Sequence, residues 1–363
     1  MNKQFSIYLD FLRFIAACLV FVSHVPSFSG GWGWQIAGFG HEAVVIFFVL
    51  SGFVISYVVF DRKESALKYS VSRLSRIYSV AIPAIILTAV LYYLGSAINE
   101  SAFAELNLKL NSPIWTITSA LFFLNQSWIA TPFFSNLPYW SLGYEVLYYV
   151  FFGFLIYTQG SVRIILLIVI SCIMGPSILL YLPIWFAGVF CFKASKRYHL
   201  ELKLSLILFV LSIVGIIFFF NPNVQSIINT ATYHFIGDHF YQLLLEPAER
   251  FAADYVLCVF VCLNIFSAYN LAKYVVDCNQ KIEFSIRTLS AHTFSLYLFH
   301  MPMLFFISAI FPYELNPVLN LIFAWIVTPA LIFILSNYTE NKKGNYKTFF
   351  YSILNKFANL KLK

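Results

Sequence analysis

The sequence predicts an all-α integral membrane protein, a polytopic bundle of about ten transmembrane helices with both termini cytoplasmic. Three observations carry that prediction. Of the 363 residues, 60% are hydrophobic, 20% aromatic and only 11% charged, against roughly a quarter charged in soluble domains. Apolar runs of the ~20 residues that a helix needs to cross a ~30 Å hydrocarbon core recur from the first helix to residue 336. Lysine and arginine collect between particular runs, as they do in cytoplasmic loops. The net charge of +7 is therefore read against anionic lipid at the inner membrane surface, and no nucleic-acid partner is expected.

The expected spans are residues 9–25, 41–60, 78–96, 140–157, 163–180, 181–193, 203–220, 252–269, 289–310 and 317–336. Two basic segments fix the count. One carries Arg62, Lys63, Lys68, Arg73 and Arg76, the other Lys193, Lys196, Arg197 and Lys203. If both are cytoplasmic, an even number of spans separates them, so residues 114–127 are read as a re-entrant or surface segment. Of the 23 basic residues only Lys109 and Arg250 then fall outside, with Arg13 inside the first helix. The first apolar run lacks a small-residue cleavage site and is read as a retained helix. The six cysteines show no metal-ligand spacing, and no metal is expected. The chain reads as one transmembrane domain, 1–340, followed by a basic amphipathic tail, 341–363. In that tail Phe349, Phe350, Ile353, Leu354, Phe357 and Leu360 recur at helical spacing among Lys347, Lys356, Lys361 and Lys363, the pattern of a helix on the inner leaflet.

Ionisable groups inside apolar runs mark the candidate site. The first helix, LDFLRFIAACLVFVSHV, contains Asp10, Arg13 and His24. A charged group at a helix centre costs about 2.5–3.5 kcal/mol on insertion scales, so its presence is a functional signal. Arg13 and His24 are eleven residues apart, three turns plus about 20°, so they share one face roughly 16 Å apart in depth. A plainer reading pairs Arg13 with Asp10 and leaves His24 as a cap at the outer interface. The segment PYWSLGYEVLYY puts Glu145 about one turn inside the outer surface, level with His24, where carboxylate and imidazole could share acid and base work. Glu145 could equally be a solvated residue at the positive end of its helix. Glu42, with His41, admits the same two readings. Arg73 and Arg76, one turn apart, suit charge-assisted bonds to phosphate or else ordinary positive-inside charge. Tyr297 and His300 lie in TFSLYLFHMPM, where Pro302 loosens the helix.

In order along the chain, LDFLRFIAA with His24, FFVLSGFVI at 47–55, SRLSRIY at 72–78, WSLGYE at 140–145, SLYLFH at 295–300 and YTE at 338–340 resemble the pattern of acyltransferase family 3, membrane O-acyltransferases of surface or secreted glycans. The resemblance implies a ten-helix bundle that moves an acyl group, commonly acetyl, from acyl-CoA to a carbohydrate hydroxyl. It assigns the family's Arg and His pair to Arg13 and His24, its basic pair to Arg73 and Arg76, and its Trp-Ser-Leu and Glu to Trp140, Ser141, Leu142 and Glu145. The sequence departs from the pattern at Ser79, where proline is usual, at Glu145, which stands without a second Glu, and at Asn341, where Arg-Pro is common.

The expectation is thus an acyl-CoA-dependent O-acyltransferase in a bacterial cytoplasmic membrane. Its catalytic residues are His24, Glu145 and Arg13, and Arg73 and Arg76 take the co-substrate. Trp140, Ser141, Tyr297, His300 and Glu42 support the acceptor or the chemistry. No tightly bound cofactor is expected; the partners are acyl-CoA, a carbohydrate acceptor and membrane lipid. A proton-coupled transporter using the same ionisable residues as a relay is the main rival, and a transferase using lipid-linked sugar the second.

Overall fold

The computed structural model describes residues 1–104, 106, 112–237, 241, 248–275 and 278–360, and the side chains of these up to Lys356. Lys109, Lys361 and Lys363, and the side chains of Phe357 and Leu360, lie outside the described residues. Helices and turns form all of the described secondary structure. The principal helices are α1 Lys3–His24, α2 Gly40–Ser56, α3 Ala66–Ile98, α4 Ser101–Ala104, α5 Pro113–Leu121, α6 Trp140–Tyr157, α7 Gly160–Arg197, α8 Leu202–Phe219, α9 Pro222–Ile236, α10 Phe251–Leu271, α11 Gln280–Ser290, α12 Thr293–Ile310, α13 Pro317–Ile322, α14 Thr328–Tyr338 and α15 Lys343–Leu360.

Among the described residues, eight helical stretches are long and apolar enough to cross a bilayer. The ten spans expected from the sequence differ from these eight in two places. Helix α6 is 18 residues long but carries Glu145 and four tyrosines, which make it less apolar than the others. Residues 163–180 and 181–193 fall in the single long helix α7, which breaks at Gly175 (φ 74°, ψ 174°) just before Pro176. Glycine adopts that backbone freely and the following proline cannot donate into the preceding turn. The break therefore comes five residues before the boundary read from hydropathy. Helix α5 is nine residues long, about 13 Å, too short to span.

The described residues fall into two compact units. The first comprises Met1–Ala16, His41–Glu64 and Ser171–Ser290. Within it α2 and α7 approach backbone to backbone through Gly52 and Gly188, and Trp185 Nε1 donates to Ser51 Oγ at 3.2 Å. Helices α8 and α10 pack along their length, with Asn264 Nδ2 donating to Ser212 Oγ at 3.1 Å while Asn264 Oδ1 accepts from the Tyr8 hydroxyl. Amphipathic α11 is tied to the start of α1 by a Lys3–Glu283 ion pair of 2.7 Å. Hydrogen bonds from Lys3 and Arg287 hold the Glu283 carboxyl below the usual carboxylate range.

The second unit comprises Ala17–Gly40, Ser65–Ile170 and Ala291–Lys363. Helix α3 is its centre, packed against α12, α6 and α15. The tail helix α15 thus has a protein partner as well as an exposed side. Phe350 packs on Tyr78 of α3 at 5.6 Å between ring centroids, while Phe349 is 57% exposed. Proline 302 removes the N–H that would serve the Leu298 carbonyl one turn back. Asn136 supplies the replacement, donating Nδ2 to Leu298 O at 2.9 Å and to Thr88 Oγ1 at 3.1 Å. Asn136 is fully buried, so Asn136→Ala is expected to destabilise the protein by about 1–3 kcal/mol by orphaning that carbonyl. Thermal unfolding of the purified protein in detergent measures it; an unchanged midpoint would show that the kink needs no donor.

Candidate active site

Helix α1 ends at His24, which stands against His300 of α12. His24 Nδ1 lies 3.1 Å from His300 Nε2 and 2.9 Å from the Val20 carbonyl, while His300 Nδ1 lies 3.0 Å from the Leu296 carbonyl. A carbonyl only accepts, so both Nδ1 atoms carry the proton, assigned from these acceptors. His300 Nε2 is then an acceptor for His24 Nδ1–H. The lone pair of His24 is left on Nε2, the atom a general base needs. Phe21 closes the other side of His300, edge-on at 6.2 Å, and Gly40 lies so close to the Ser23 hydroxyl that a Cβ there would come within 2.4 Å of it and 3.4 Å of His24 Cε1.

One turn before His300, the Tyr297 hydroxyl bonds to Ser141 Oγ at 2.6 Å and donates to the Pro138 carbonyl at 3.1 Å. Trp140 packs edge-on against Tyr144 at 5.1 Å. Glu145 accepts from the Tyr149 hydroxyl one turn along α6. Tyr149 in turn faces α3: its carbonyl accepts from the Tyr69 hydroxyl at 2.9 Å, and the Arg73 guanidinium lies over its ring at 5.7 Å. Arg73 and Arg76 are both near enough to the Tyr149 hydroxyl to act on it electrostatically. Arg73 Nη2 donates to Ser72 Oγ at 2.8 Å, and its buried Nε has no hydrogen-bond acceptor among the described residues. At the same level Glu340 accepts from Ser295 N and Oγ, at 3.0 and 3.1 Å, and feels the charge of Arg76.

Eight of the residues singled out from the sequence therefore fall in one unit: His24, His300, Tyr297, Trp140, Ser141, Glu145, Arg73 and Arg76. They are drawn from the C-terminal end of α1, the N-terminal part of α3, the start of α6 and the middle of α12. The orienting place on His24 belongs to His300, where the sequence suggested Glu145; Glu145 is held by Tyr149. Arg13 and Glu42 belong to the other unit. Arg13 Nη1 donates to Asp10 Oδ1 at 3.2 Å, and Asp10 Oδ2 also accepts from Arg287 at 3.0 Å, so two cations share one carboxylate. Glu42 pairs with Arg250 and accepts from Gln225 Nε2 at 2.8 Å. Sequence reasoning missed Asn136, Tyr149 and Ser295. Only Pro302 signalled the first, by leaving an unserved carbonyl at residue 298.

A helical, multi-pass membrane protein that gathers a histidine pair, a serine–tyrosine pair and two arginines in one unit has side chains suited to group transfer. The family model for the acyltransferase domain of acyltransferase family 3 matches residues 6–337, and the chain belongs to that family. No curated protein and no solved structure matches the chain.

Proposed function

We propose that the protein transfers an acyl group, acetyl in the first instance, from cytoplasmic acyl-CoA to a hydroxyl of an envelope or extracellular polysaccharide. The topology proposed with it has ten spans, counting α6 and both halves of α7, with both termini inside and the inner bacterial membrane as its place. The observation that carries the reading is the row of polar side chains from Arg73 and Arg76 to His24 and His300 within one unit. The CoA phosphates dock on Arg73 and Arg76, whose guanidinium donors match phosphate oxygens in bidentate geometry. Glu145 and Tyr149 order the arginines, and Ser141 and Tyr297 line the way to the histidines.

At the outer end the acceptor hydroxyl gives its proton to His24 Nε2 as its oxygen attacks the thioester carbonyl. The C–O bond forms, the C–S bond breaks, and the proton passes from His24 to the departing thiolate. His300 keeps the His24 ring in the tautomer that permits this. Membranes carrying the protein, supplied with radiolabelled acetyl-CoA, should place label on surface polysaccharide. No label above background, with a broad acceptor mixture and a second acyl-CoA, would sink the reading and favour a transporter.

The donor end makes a separate prediction. Arg76→Gln removes one charged donor to phosphate, worth about 1.5–3 kcal/mol, so KM for acetyl-CoA is expected to rise roughly 10- to 100-fold with kcat less affected. Initial rates against acetyl-CoA concentration test it; a lowered kcat at unchanged KM would move Arg76 away from the phosphates.

A further inference from the structure

The first unit holds a second cluster of ionisable groups, which the steps above do not use. Asp254 of α10 is fully buried and accepts from the Tyr181 hydroxyl at 2.5 Å, with His41 Nε2 at 2.7 Å from the same oxygen. Glu42, next to His41, is 1% exposed and pairs with Arg250, and Gln225 bridges the two, donating to Glu42 and accepting from Arg250 at 2.5 Å. Three buried atoms of the cluster have no hydrogen-bond partner among the described residues: Asp254 Oδ1, Glu42 Oε2 and Arg250 Nε. The His41 and Arg250 side chains at the rim of the cluster keep 24% and 21% exposure.

Buried polar atoms are nearly always satisfied, so three together in six residues call for a partner with matching chemistry. Two are carboxylate oxygens, which only accept, and one is a guanidinium N–H, which only donates. An anion would meet two carboxylates. A cation would meet Arg250, and no group of three or more metal-ligating side chains occurs among the described residues. An apolar group would leave all three atoms unserved. A neutral polyhydroxyl serves all of them, since each hydroxyl both donates and accepts. In the proposed topology the starts of α2 and α10 face outward, the side where a glycan arrives.

We infer that His41, Glu42, Tyr181, Gln225, Arg250 and Asp254 form a carbohydrate-binding site that takes the acceptor glycan. Its hydroxyls donate to Asp254 Oδ1 and Glu42 Oε2 and accept from Arg250 Nε. Asp254, Glu42 and Arg250 bind substrate, while Tyr181 and Gln225 position them. The inference rests on the acyl-transfer reading for the identity of its ligand, and the kinetics separate the two.

The test uses the full chain in detergent, labelled acetyl-CoA, and oligosaccharides from mild acid hydrolysis of the source cell's own surface polysaccharide. Glu42→Gln and Asp254→Asn should each raise KM for the oligosaccharide about tenfold or more, with KM for acetyl-CoA unchanged. Gln225→Ala keeps the Glu42–Arg250 pair and should raise acceptor KM by a smaller factor, so the question stays answerable if either carboxylate variant fails to fold. Transfer by the unaltered chain with an unmoved acceptor KM in the variants that fold would overturn this inference alone. Absence of transfer by the unaltered chain would remove the acyl-transfer reading and this inference with it. Loss of transfer in EDTA with recovery on adding Ca²⁺ would show that the carboxylates hold a cation, and would overturn the carbohydrate assignment.

Discussion

Alanine in place of His24 is expected to lower kcat/KM for acyl transfer by roughly two to four orders of magnitude, the usual contribution of a positioned general base. In the proposed reading the donor phosphates dock on Arg73 and Arg76 of α3, so KM for acetyl-CoA should change little. His300→Ala is expected to cost less, about tenfold in kcat, because His24 keeps the Val20 carbonyl as an acceptor for Nδ1–H at 2.9 Å. What it loses is the ring that fixes its orientation from 3.1 Å away. His300→Gln, which can place an amide oxygen where Nε2 stood, should restore part of that loss. A purely structural role for His300 would instead lower the unfolding midpoint without a preference for glutamine.

The same assignment fixes the direction of the pH dependence. A protonated Nε2 cannot accept the hydroxyl proton, so transfer should fall as the pH is lowered. Rates that persist unchanged well below pH 6 would remove His24 from the proton transfer. If His24 carried the acyl group covalently, rapid quenching with labelled donor and no acceptor would leave label on the protein, lost in His24→Ala. The base mechanism expects none.

The course of the helices was legible because hydropathy is a property of each segment alone. Arg73, Arg76, His24 and Glu145 were legible for a related reason: a charge in an apolar run is conspicuous wherever it comes to rest. The pairing of these residues was not legible. Nothing in residues 10–26 says that a ring 276 positions away will meet His24 Nδ1, so the carboxylate Glu145 was the natural partner to expect. Asn136 shows the same limit more sharply. Pro302 announces an orphan carbonyl at Leu298, but the donor comes from a loop 162 residues earlier. The break in α7 is the opposite case. Gly175-Pro176 is a plain helix-breaking signal, and continuous hydropathy across it drew the boundary to 180/181.

The largest effect on stability is expected where two helices touch through glycine. A Cβ on Gly188 would come 2.1 Å from the Val49 carbonyl oxygen and 2.9 Å from Phe53 N, and one on Gly52 would come 2.0 Å from the Trp185 carbonyl oxygen. All three obstacles are backbone atoms, which cannot turn aside as a side chain would. Inside a membrane, helices gain their association from close packing and not from burial of apolar surface, so small residues at the crossing carry the contact. Gly188→Ala is therefore expected to destabilise the first unit by at least the 1–3 kcal/mol typical of overpacking, and Gly188→Leu to yield no monodisperse protein in detergent. Gly344→Ala, where an added Cβ meets nothing within 4 Å, is the control and should leave the midpoint unchanged or slightly raised. The glycine contact also sets the register of α2 against α7, hence of His41 and Glu42 against Tyr181. Any Gly188→Ala protein that survives should lose acceptor affinity before donor affinity. A midpoint unmoved by Gly188→Ala would mean that the two backbones stand further apart than described, and the register argument would fall with it.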